Sequence, residues 1–85
     1  MNVKSEKLKS IIDALDNEDF VVNGDIYEYV GVSRTTDLDG NQLVVFIFLD
    51  NNEQETRFAF DIHENTKPQQ IVDQIYGILY QRGND

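Results

Sequence analysis

An α+β domain of two layers is what the sequence predicts: a helix, a three- or four-stranded antiparallel meander, and a second helix. Three observations lead there. Apolar residues follow helical spacing near both ends of the chain, and strand-like apolar runs fill the middle. The runs are separated by turn-forming pairs, among them Asn23-Gly24 and Asp39-Gly40. The 85 residues suffice for one domain, residues 1–85, with loose ends expected near 1–4 and 83–85.

Leu8, Ile11, Ile12 and Leu15 place one apolar face on a helix from about Ser5 to Asp16. Lys4, Lys7 and Lys9 lie near its start and Asp13 and Asp16 near its end, against the helix dipole. Phe20-Val21-Val22, Asn23-Gly24 and Ile26 to Val30 predict a tight hairpin, its second strand running on to Ser33. The apolar run Leu43 to Leu49 predicts a central strand. After a turn at Asn51 to Gln54, Thr56 to Ile62 alternates, with Phe58, Phe60 and Ile62 on one face. Thr66-Lys67-Pro68-Gln69 fits a capping box for a final helix carrying Ile71, Val72, Ile75, Ile78 and Leu79. Gly77 in its middle predicts a close approach to a neighbouring element.

The central strand offers Leu43, Val45, Ile47 and Leu49 to one side and Val44, Phe46 and Phe48 to the other. Two arrangements are open. Both helices cover one face, leaving an apolar patch suited to a partner or a homodimer, or they cover opposite faces and leave none. Tyr27, Tyr29, Phe46 and Phe48 are the candidate contacts for such self-association.

Composition narrows the chemistry. Cysteine is absent, which excludes disulfides and thiolate sites, and His63 has no second histidine to complete a soft metal site. Asp37-Leu38-Asp39-Gly40-Asn41 lacks the closing glutamate of a calcium loop and reads as a turn. No glycine-rich phosphate loop or nucleophile–base pairing is signalled. The expectation is a non-enzymatic binding protein with no catalytic residues, cofactor or metal. No apolar run reaches the length of a membrane span, and the start lacks a signal-peptide core, so a cytoplasmic protein is expected.

The most specific feature is charge. Acidic residues number 16 against 7 basic ones, a net charge of -9. Between Ser10 and Thr56 there are eleven acids and one base, Arg34. Such a surface repels nucleic acid and anionic membranes, and steers toward basic protein surfaces. In an antiparallel meander Asp25, Asp50, Glu53 and Glu55 gather at one end of the sheet, with Asp16, Glu18 and Asp19 nearby. Carboxylates and phosphates engage arginine and lysine with similar geometry. The expected partner is therefore a basic, nucleic-acid-binding protein whose groove these seven residues occupy as a nucleic-acid mimic.

Two resemblances accompany these residues. The size, acidity and helix–meander–helix order, with the helix running into Asn17-Glu18-Asp19-Phe20-Val21-Val22, resemble small phage-encoded inhibitors, including anti-CRISPR proteins that mimic nucleic acid. Residues 43–76, with Phe58-Ala59-Phe60-Asp61-Ile62, Asn65-Thr66 and Ile71-Val72-Asp73-Gln74-Ile75, are similar to the peptide-binding domains of WNK and OSR kinases, departing from them at Val72 and Gln74. The second resemblance implies an alternative site, a peptide groove beside the last strand and second helix at Phe58, Phe60, Asp61, Ile71 and Ile75.

Overall fold

The computed structural model describes residues 3–83. Its elements are α1 (Val3–Asn17), β1 (Phe20–Val22), β2 (Asp25–Thr36), β3 (Gln42–Leu49), β4 (Glu55–Phe60) and α2 (Pro68–Gly83). The strands form one antiparallel sheet in the order β1-β2-β3-β4, the predicted meander between two helices. The helices run beyond their expected ends, α1 from Val3 and α2 through Gly83. The remainder of the expected loose ends, residues 1–2 and 84–85, lies outside the described residues.

Both helices pack on the same face of the sheet. The core joins Ile11 and Leu15 of α1 and Ile71, Val72, Ile75 and Leu79 of α2 to Phe20, Val22, Phe46, Phe48 and Phe58, with Ile62 just beyond β4. The helix-facing set of β3 is thus Val44, Phe46 and Phe48. Tyr27, Tyr29, Phe46 and Phe48, the candidates for self-association, pack into this core and do not line the far face. On the far face Val45 is buried, while Leu43, Ile47 and Leu49 are half-buried between their neighbouring strands.

Each connection has its own local cause. Asn23 and Gly24 both take positive φ, 54° and 85°, as the β1–β2 hairpin turn requires. The two longer hairpin loops share one design. Asp37 Oδ1 accepts from the backbone N–H groups of Asp39 and Asn41, both at 2.9 Å. Asp50 Oδ1 does the same for Asn52 at 2.8 Å and Gln54 at 2.9 Å. Both loops place their fourth residue in the left-handed region: Gly40 at 86° in the first, Glu53 at 61° in the second. Glutamate has a Cβ that disfavours this conformation, by about 1–2 kcal/mol.

Two local expectations need correction. α2 starts one residue later than Thr66 and Gln69 would place it, and only the returning half of a capping box forms. Pro68 occupies the first helical position, and Gln70 Oε1 accepts from the Lys67 N–H at 2.8 Å. Thr66 Oγ1 instead accepts from the His63 N–H at 2.9 Å, closing the turn before the helix. Gly77 approaches nothing: it is exposed, and an added Cβ would meet open space.

Two stability changes follow. Gly77→Ala stabilises the protein by about 0.5–1 kcal/mol, because alanine is the better helix former in an open position. Glu53→Gly relieves left-handed strain but adds unfolded-state freedom, a net gain of about 0.5 kcal/mol. Urea unfolding of each variant reads both, as rises in midpoint at unchanged slope.

Candidate functional site: an acid-rimmed groove beside the β1–β2 hairpin

α1 ends at Asn17, and β1 begins only three residues later. That short link carries Glu18 and Asp19 across the top of the core. Phe20 anchors it, packing edge-on against Phe48 at 5.2 Å between ring centroids and tilted by 39° against Tyr76 at 4.8 Å. The Tyr76 hydroxyl donates to Glu18 Oε1 at 3.0 Å and lies 3.1 Å from the Asp19 carbonyl oxygen. α2 thereby holds the link in place.

The result is an open groove of about 460 Å³. Its walls carry Asp16, Glu18, Asp19 and Glu28, and its apolar lining includes Val21, Ile26, Tyr27 and Tyr29. Val21 and Ile26 pair across the hairpin and remain 51 % and 58 % exposed. Asp16, Glu18 and Asp19 therefore line a surface that is itself partly apolar and uncovered, and Glu28, opposite Leu49 on β2, stands at its margin on the other face of the strand.

Of the seven acids expected to gather, Asp16, Glu18 and Asp19 line this groove. Asp25 and Asp50 adjoin it through Tyr27, whose phenol is pushed up by burial and then by these two carboxylates, while Arg82 opposes them. Asn51 ties the two turns together: its Oδ1 accepts from the Ile26 N–H at 2.9 Å, and its Nδ2 donates to Asp25 Oδ1 at 3.4 Å. Glu53 stands on the β3–β4 loop. Glu55 stands apart, ion-paired with Arg57 at 3.0 Å on the outer strand. Glu28 was not among the expected seven. Its place opposite Leu49 depends on strand register, which composition does not specify.

The residues of the alternative peptide groove lie differently. Phe58, Ile71 and Ile75 are buried in the core between β4 and α2, Phe60 packs against that core, and Asp61 is exposed, 3.3 Å from the His63 ring nitrogen. A peptide entering this seam would have to displace core side chains. At the opposite end of the sheet, Leu8, Arg34, Val44 and Ile62 help to enclose a recess of about 20 Å³, room for a single water. Among the described residues no cluster of three potential ligands could hold a metal ion, and no helix is long and apolar enough to cross a membrane.

No family model, curated protein or solved structure matches the chain. The site's chemistry has to be read from its own residues.

Burial, the hydrogen bond to Glu18 and the surrounding negative charge push the Tyr76 phenol up to about 12. The folded state therefore holds the proton more tightly than the unfolded chain, whose tyrosine titrates near about 10. This contribution to stability is complete below that pH and is lost as pH rises through about 12. Tyr76→Phe removes this component of base denaturation, measured as a shallower loss of stability between pH 10 and 12. An unchanged slope would mean that the hydroxyl does not hold the link.

Proposed function

We propose that this protein is a non-enzymatic binding protein that docks its acid-rimmed margin onto the basic groove of a nucleic-acid-binding protein, acting as an inhibitor by nucleic-acid mimicry. The observation that carries this reading is the groove itself, where acidic residues of α1, the α1–β1 link and β2 line a partly exposed apolar surface. Carboxylates so placed meet arginine and lysine in the geometry that phosphates would. The apolar lining adds contact area that a purely solvating charge layer would not need.

Two further facts support it. Asp13 and Asp16 occupy the last turns of α1 with no basic residue in its last turn, an order that opposes the helix dipole. Glu53 holds a left-handed position in which the matching loop has glycine. In both places negative charge is retained at a cost to stability, which fits a surface kept for binding. Self-association has less support: the far face presents half-buried aliphatic side chains, and the net charge of -9 opposes close approach of two copies.

Asp16→Lys with Glu28→Lys is the informative variant, because no turn depends on either carboxylate. Asp16→Lys alone raises Tm by a few degrees, through the helix dipole. In a nuclease-treated cell extract the wild-type protein, immobilised, retains nucleic-acid-binding proteins at low salt. It releases them at about 1 M salt, where screening reaches roughly 3 Å, or when a DNA duplex competes. The double variant retains none of them. Equal retention by the double variant, or a partner that survives the high-salt wash, would overturn the reading.

A further inference from the structure

β2 is 12 residues long, but β1 pairs only with Asp25, Ile26 and Tyr27. From Glu28 to Thr36 the side of β2 away from β3 has no strand partner among the described residues. Exposure follows this edge: Val30 is 48 % exposed, and every residue from Val32 to Thr36 is exposed. Such an edge presents a row of unpaired N–H and C=O groups that can template an incoming strand. A bulge at Val30 interrupts it, yet Gly31 to Thr36 pair with β3 in unbroken register.

The acid-rimmed groove opens where this free edge begins. Glu28 and Tyr29 belong to both, and the groove's other wall is the α1–β1 link with Asp16, Glu18 and Asp19. A strand laid along the edge would pass its side chains into that groove. The groove's charge selects what those side chains are: basic residues for the carboxylates, and aliphatic ones for Val30 and Ile26.

We infer that the partner contributes an extended segment, alternating basic and aliphatic residues, which adds to the sheet as a fifth strand along Glu28–Thr36 with its basic side chains in the groove. The inference rests on the proposed docking to a basic protein and specifies how that partner is grasped. Backbone hydrogen bonds supply affinity, and the carboxylates supply selectivity and register. A second copy of this chain is the poorer occupant, because each copy carries a net charge of -9 and close approach of two copies is opposed.

The probe is a short acetylated peptide alternating arginine with valine, made also in two N-methylated forms that block one or the other set of alternate amides. A strand in a sheet edge uses only one of these sets, so one methylated form binds and the other is weaker by about tenfold or more. Attraction by charge alone is indifferent to the phase. The expected result is saturable NMR shifts over Glu28–Thr36 and the groove residues, with a clear preference between the two forms. Equal affinity of the two forms overturns the strand addition while leaving a charge-driven partner in place. Failure of the peptide to bind, beside salt-sensitive capture of a basic partner from extract, rejects the extended segment alone; failure of both rejects the docking reading as well. A concentration-dependent dimer that protects the same amides without peptide assigns the edge to a second copy and overturns the proposal.

Discussion

Phe48 is the residue on which the arrangement depends. It is fully buried on the central strand and touches an aromatic ring from each other strand: Phe20 of β1, Tyr29 of β2 and Phe58 of β4, all between 5.2 and 5.6 Å. Edge-on contacts of this kind add to the burial term and fix orientation. Phe20 in turn carries Tyr76, and Tyr76 carries Glu18 and Asp19. The position of the acidic margin is thus set from inside the core. The groove stands on this buried aromatic cluster.

The order of elements was legible because each has a strong local signal. The run Leu43 to Leu49, the Asn23-Gly24 turn and the helical spacing of Ile71, Val72, Ile75 and Leu79 all correspond to observed elements. What could not be read was which side chains share a face along β2. Tyr27 and Tyr29 face the helices, yet so do the positions of Val32 and Arg34, paired with Phe46 and Val44. The register shift between Tyr29 and Gly31 reverses the alternation. Gly31 was the available signal, since glycine inside a strand often marks a bulge. Gly77 went the other way, because the same residue type suggests close packing and here faces open space.

The acidic residues divide into kinds that composition does not separate. Asp37 and Asp50 build turns, and the Asn41 N–H above all holds the Asp37 carboxyl below its ordinary range, against the opposing effect of desolvation. Glu55 is spent on Arg57. Asp16, Glu18, Asp19 and Glu28 are the acidic residues that line the groove, where Glu18 also accepts from Tyr76. Counting acids along the chain mixed turn-forming aspartates with groove-lining acids. The distinction needs the hydrogen bonds, and it decides which charges a partner can meet without dismantling a loop.

Residue-resolved amide hydrogen exchange of the free protein tests the central claim most directly, that one packed face secures β3 while the outer edge of β2 stays open. Amides of Val44–Leu49, which lie between β2 and β4, should be the slowest to exchange. Along Glu28–Thr36, amides directed to β3 should be slow and those directed outward fast, in alternation broken once at Val30. Uniform slow exchange along β2 would contradict it, because the edge would then already be covered.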